Sequence, residues 1–153
     1  MPRVRRRADL FTTFRQLTLF AHCSDEELAA IDATAVEVHI ASSKVVFRQG
    51  EIGREFVVIV EGTAEVTRDG HVVGTLGPGD HLGELSLLGD HPRNATVTAT
   101  SDITAEVIDR RSFQALLSDS PNLTINLLRA TATRLSELDD EVTDLHTRLA
   151  DGS

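Results

Sequence analysis

Apolar residues fall along this chain in distinct regimes. From about Asp9 to Ala35 they recur at helical spacing, with Leu10, Phe11, Phe14, Leu17 and Leu19 making an approximate face. Ser24 and Glu27 precede Leu28, Ala29 and Ile31 at the spacing of a capping box, in which each side chain accepts the other's backbone N–H. From Val36 the period drops to two. Val36, Val38 and Ile40 alternate with polar residues, as a half-buried strand requires. Val45-Val46-Phe47 and the β-branched run Phe56-Val57-Val58-Ile59-Val60 are further strand candidates. So are Ala64 with Val66, Val72-Val73 with Leu76, Ala95 with Val97 and Ala99, and Ile103 to Ile108. Gly50 and Gly53 punctuate this region, Asp69-Gly70 is a two-residue hairpin signal, and Gly77-Pro78-Gly79 must turn. Short strands at this spacing predict a closed or nearly closed antiparallel barrel or roll, whose topology periodicity leaves open.

The last third returns to the helical period. Arg110 to Leu117 is a short amphipathic stretch, and Ser120-Pro121 separates it from a long helix over about Asn122 to Ala150. There Leu128, Leu135, Val142 and Leu149 recur every seven residues, with Leu138 and Leu145 at the complementary positions and Thr131 interrupting that second series. This is the seam of a coiled coil. In a parallel dimer Arg134 would face the partner's Asp139, and Glu141 the partner's His146. Exposed pairs of this kind are worth about 0–1 kcal/mol each and set register more than affinity. A single amphipathic helix lying on its own domain would bury one stripe equally well. The length and the strict seven-residue repeat favour a dimer.

Composition narrows the function. The chain has 153 residues, enough for one domain with a real core, and carries a net charge of −9, which argues against a general nucleic-acid-binding surface. Only Arg3, Arg5, Arg6 and Arg7 gather positive charge, in what reads as a solvated basic tail. No apolar run approaches the roughly 18 residues needed to cross a membrane, and the start of the chain lacks a signal-peptide core. The single cysteine, Cys23, excludes an intrachain disulfide framework and suits the cytoplasm. The six histidines show no metal-ligand spacing, and no serine or cysteine sits in a nucleophile motif, so neither a metal site nor an enzyme is expected.

One window carries chemistry: Gly83-Glu84-Leu85-Ser86-Leu87-Leu88-Gly89-Asp90-His91-Pro92-Arg93-Asn94-Ala95-Thr96-Val97. Gly83 lacks a Cβ, so a ligand can approach its backbone, and the N–H groups after it begin a helical turn whose start attracts anions. Arg93 supplies the planar guanidinium best shaped to grip a phosphate. Glu84 can accept a hydrogen bond from a sugar hydroxyl. An anion grip beside a hydroxyl acceptor suits a phosphorylated sugar.

This window resembles the phosphate-binding cassette of the cyclic-nucleotide-binding domain, as in the bacterial catabolite activator family and in cyclic-nucleotide-dependent kinases and channels. The cassette reads approximately F-G-E-x-[AS]-L-L-x-x-x-P-R-x-A-[TS]-V-x-A. Leu82 stands in place of the aromatic residue, and Gly83, Glu84, Ser86, Leu87, Leu88, Pro92, Arg93, Ala95, Thr96, Val97 and Ala99 follow the pattern. Phe47-x-x-Gly50-x-x-Gly53, Glu61-Gly62 and Gly77-x-Gly79-Asp80 fall where members carry comparable glycines, so the resemblance runs from about Leu17 to the end.

The resemblance implies a mainly β fold with flanking helices: a double-stranded β-helix (jelly roll), N-terminal helices and a long C-terminal dimerisation helix. The expected division is a basic tail over 1–8, the β-roll with its helical flanks over 9–121, and the coiled-coil helix over 122–150. It implies that Glu84 binds the ribose 2′-hydroxyl and Arg93 the cyclic phosphate, with backbone groups of Gly83, Leu85 and Ala95 completing the grip. The base would point toward the C-terminal helix, where Arg134 and Leu138 are the candidates to cap it. Members that contact adenine there use hydroxyl or polar residues, whereas Leu138 and Asp139 occupy that part of this helix. Asn94 stands where others carry Ala, Ser or Thr, and Thr there accompanies cGMP preference.

The expectation is therefore a cytoplasmic sensor for a cyclic nucleotide, with cAMP favoured and cGMP the alternative. It would form a parallel homodimer through residues 122–150. Family transcription factors continue into a helix-turn-helix domain for which no residues follow Ser153, so the output is expected to act in trans on an unidentified protein effector. The competing reading is a ligand-independent dimeric scaffold with a degenerate pocket.

Overall fold

A computed structural model of the chain describes residues 18–83 and 92–151. Among the described residues, eight strands run in the order β1 (Val36–Ile40), β2 (Val45–Phe47), β3 (Glu55–Glu61), β4 (Ala64–Arg68), β5 (His71–Leu76), β6 (His81–Leu82), β7 (Thr96–Ala99) and β8 (Ile103–Asp109). They form two four-stranded sheets, β1-β8-β3-β6 and β2-β7-β4-β5, in which the paired strands are antiparallel. This is the expected jelly roll. A 3-10 turn η1 (Thr18–Phe20) and helix α1 (Asp25–Thr34) precede the strands, and α2 (Arg110–Asp119) and the long α3 (Pro121–Asp151) follow them.

The run Phe56 to Val60 is buried throughout because both faces of β3 are covered. Phe56 and Val58 pack outward with Leu28, Ile31, Phe113 and Leu123 under the helices. The Phe56 and Phe113 rings stack with centroids 4.3 Å apart. Val57 and Ile59 point inward, meeting Ala64, Val97 and Ala99 of the other sheet. Burying each such side chain stabilises the fold by about 1.5–3 kcal/mol. The centre of the roll is nearly solid, with a void of about 10 Å³ between Ile59, Leu82, Val97 and Ala105.

Local chemistry sets the boundaries. Asp69 and Gly70 join β4 to β5 with φ of 53° and 81°, both positive as the tightest hairpin turn demands. The helical pattern read from Asp9 to Ala35 is interrupted in its described part. η1 gives way to His22, at φ 63°, and α1 starts only at Asp25. The capping box explains the restart: Glu27 N donates to Ser24 Oγ at 3.1 Å, and Ser24 N donates to Glu27 Oε1 at 3.0 Å. Asp109 caps α2 by accepting from Ser112 N at 2.9 Å, and Pro121 opens α3. The two-residue β6 has no counterpart in the periodicity; it forms because His81 and Leu82 pair with Val58 and Val57 of β3.

Helix α3 has two parts. Its root is anchored, with Leu123 and Leu127 buried among the flanking helices. Farther along, Leu128, Leu135, Leu138, Val142, Leu145 and Leu149 are between 51% and 72% exposed. The seven-residue stripe therefore does not lie on its own domain.

Candidate functional site

The site is assembled where the loop between β2 and β3 meets the end of β6 and the start of β7. Gly83, just past β6, has φ +98°, a conformation that side chains disfavour. A Cβ there would collide with the Glu55 carbonyl and reach within 2.6 Å of Arg93 Nη1. Glu84 and Leu85 lie outside the described residues. After Pro92, which bridges to Ile52, the backbone of Arg93 is held on both sides. Arg93 N donates to Glu51 O at 2.7 Å, and Gly50 N donates to Arg93 O at 2.8 Å.

The Arg93 side chain turns inward and is only 8% exposed. Its Nη2 donates to the Glu55 carbonyl at 2.9 Å, and its Cζ sits 3.7 Å from the centroid of the Phe47 ring. On another side it meets Gly53, where a Cβ would overlap the guanidinium itself. A permanent cation is costly to bury unless polar groups and anions surround it. A carbonyl dipole and an aromatic face offset part of that cost. The described part of the site is a buried guanidinium between two glycines, a side chain whose planar donors suit a phosphate.

A cavity of about 400 Å³ adjoins this point, sharing Phe47 and Glu55 with the surroundings of Arg93 and lined further by Val38, Ile40, Val57 and Val107. That volume falls within the range of about 300–1,000 Å³ usual for small-molecule sites. Ala95 is buried beside Arg93, whereas Asn94 is exposed and its carbonyl accepts from Arg68 Nε at 2.9 Å.

Gly83, Arg93, Asn94 and Ala95 are thus brought together at one end of the roll. Arg134 and Leu138 are on α3, where Leu138 is exposed. Reasoning from sequence missed Phe47, Gly53 and Glu55 as parts of the site. The Phe47-Gly50-Gly53 spacing was a usable signal; Glu55 meets Arg93 through its backbone carbonyl, which leaves none.

Residues 37–120 match the sequence profile described as Cyclic nucleotide-binding domain. The chain belongs to that family. This cyclic nucleotide-binding domain is 40% identical over 111 residues to the cAMP-dependent protein kinase regulatory subunit of Schizosaccharomyces pombe, across 72% of this chain and 27% of the relative. Its fold matches the catabolite activator protein of Thermus thermophilus with a TM-score of 0.77 and 28% identity, over 84% of this chain and 62% of that one. The regulatory domain of Toxoplasma gondii PKA, co-crystallised with cAMP, aligns with a TM-score of 0.67 and 30% identity, over 76% of this chain and 47% of that one. The chain spans about a quarter of the length of the S. pombe relative. Among the described residues, no helix is long and apolar enough to cross a membrane.

In this cyclic nucleotide-binding domain the helix after the roll is tied to the helix before it. Asn122 Nδ2 donates to Glu27 Oε1 at 2.7 Å, and Ser120 Oγ donates to Glu27 Oε2. Desolvation raises the pKa of the Glu27 carboxyl, but hydrogen bonds from Ser120, the Ser24 backbone and Asn122 outweigh it and bring the value down from 4.5 to about 2. Asn126 adds a second tie, its Nδ2 donating to the carbonyls of Leu19 and Ala21 at 3.0 and 2.6 Å. Cys23 lies beneath this junction. Burial and the Glu27 charge push its thiol up to about 11, so it stays protonated and unreactive.

Proposed function

We propose that this domain is a sensor that binds a cyclic nucleotide, with cAMP favoured over cGMP, and passes the signal in trans to a protein effector. The observation that carries the proposal is the Arg93 guanidinium, held inside the domain between Gly53 and Gly83. The Toxoplasma relative's complex with cAMP and the S. pombe relative's role as a kinase regulatory subunit support the same direction.

Arg93 would take the cyclic phosphate. Backbone groups of Gly83, Leu85 and Ala95 would share it, and Glu84 would accept from the ribose 2′-hydroxyl. The base would extend toward α3, with Arg134 and Leu138 as capping residues. On this proposal residues 9–121 form the ligand-binding unit, and 122–150 a parallel dimer helix that covers its own exposed leucine stripe. The role is regulatory rather than catalytic. A cytoplasmic setting suits the lone buried Cys23. For a ligand to switch α3, it must bind one position of that helix more tightly than the other.

The test is paired. Arg93→Ala should cost roughly 2–5 kcal/mol of cAMP binding, the loss expected when one partner of a buried charge pair is removed. 2′-deoxy-cAMP should bind the unaltered protein more weakly than cAMP. Unchanged affinity in Arg93→Ala removes the phosphate assignment; equal binding of the deoxy ligand removes the role of Glu84.

A further inference from the structure

The segment that carries Arg93 belongs to a closed ring of hydrogen bonds made by three separate loops. The ring runs from β4 to the segment, from the segment to the loop after β2, and from that loop back to the β4–β5 hairpin. Arg68 Nε donates to Asn94 O at 2.9 Å. Arg93 N and O bond to Glu51 O and Gly50 N, and Gln49 N donates to Thr96 Oγ1 at 3.0 Å. Gln49 then returns to the hairpin through two bonds: its Nε2 donates to Asp69 Oδ1, and its Oε1 accepts from Asp69 N, each at 2.9 Å. Asp69 is the neighbour of Arg68 and sits at φ 53°, so the Gln49 pair fixes the turn that aims the Arg68 side chain.

The bond to Asn94 O has a directional consequence. In a planar trans peptide the carbonyl and the following N–H point in opposite directions. By holding the Asn94 carbonyl, Arg68 turns the Ala95 N–H to the side away from itself. That N–H is one of the groups assigned above to the phosphate. We propose that Arg68, aimed by Gln49 and Asp69, is a positioning residue that presets the Arg93–Ala95 backbone for the ligand's phosphate. It acts from an exposed hairpin and need not touch the ligand. This inference rests on the phosphate site proposed above, but the ring is made of protein groups alone and can be tested without a ligand.

Arg68→Met keeps the apolar stem and removes the donor, while Gln49→Ala opens the ring from the other side. On the ligand-free full chain, hydrogen exchange resolved by NMR should show the Arg93 and Gly50 amides exchanging about tenfold faster in both variants, the change expected for losing one charge-assisted bond. Thermal melting should stay within a few degrees of the parent, because these side chains are exposed. Titration with cAMP should show affinity falling about tenfold in Arg68→Met, with part of the loss recovered in Arg68→Lys. Combining Arg68→Met with Arg93→Lys should weaken binding less than the product of the two single losses, because both act on one phosphate grip. Unchanged amide exchange, or fully multiplicative losses, would overturn the positioning role. Failure of the unaltered chain to bind cAMP would count against the proposed function, and the exchange data would still decide the ring.

Discussion

Gly53 lies against Arg93 so closely that the smallest side chain at residue 53 would overlap the guanidinium. The two are joined by the fold alone, Gly53 from the loop before β3 and Arg93 from the segment before β7. The buried orientation of Arg93 therefore depends on a residue whose only contribution is to leave room.

Gly53→Ala should displace Arg93 from its seat. Position 53 is not in the left-handed region, so alanine brings contact without backbone strain. Affinity for cAMP should fall by at least about tenfold, equivalent to roughly 1.4 kcal/mol, with a smaller change in melting temperature. Calorimetric titration beside a thermal melt separates the two; undiminished affinity would show that the Arg93 seat is not part of the binding site.

Gly83→Ala should be harsher on the fold. It adds strain at φ +98° to a collision with the Glu55 carbonyl. Denaturant unfolding should show a loss of about 1–3 kcal/mol, and Gly83→Asn, which tolerates positive φ better, should lose no less because the collision remains. A fully stable Gly83→Ala would mean that the chain after β6 takes another path.

Glu27 gives the fold an acid-sensitive joint. Its folded pKa of about 2 lies below the ordinary 4.5, so the stability it contributes is present above pH 4.5 and is lost as pH falls toward 2. Glu27→Gln should destabilise the protein by roughly 1 kcal/mol at pH 7, a figure kept small because the carboxylate is partly exposed. Its stability should also decline less steeply than the parent's below pH 4.5. Parallel pH–stability curves would show that the ties to Ser120 and Asn122 contribute nothing.

The leucine stripe on α3 predicts a change of assembly without a change of fold. Leu135→Asp combined with Val142→Asp alters residues that are 63% and 51% exposed in the single chain, so the roll should melt as before. Sedimentation equilibrium should report a dimer for the unaltered protein and a monomer for the double variant. A monomeric parent at tens of micromolar would remove the dimer helix from the proposal.

Much of the architecture was legible because one periodicity served each element. The run Phe56 to Val60 announced a strand, Asp69-Gly70 announced a hairpin, and Ser24 with Glu27 announced a helix start. β6 was not legible, since two residues have no period. Gly83 and Arg93 were legible as candidate site residues, but the surroundings of Arg93 were not. Its carbonyl partner on Glu55 is 38 residues upstream, and every residue carries a carbonyl. Arg68 reads as a solvated cation beside a turn until Asn94 is brought to it. Glu27 was legible as a cap, yet its bond to Ser120 spans 93 residues and uses a carboxylate oxygen that local sequence does not assign.

The most direct measurement is calorimetric titration of the purified, nucleotide-stripped full chain with cAMP, with cGMP in parallel. Saturable binding of cAMP near one ligand per chain, tighter than cGMP, is the predicted result. No heat of binding from either nucleotide at millimolar concentration would contradict it and leave a dimeric scaffold that keeps the roll without the ligand.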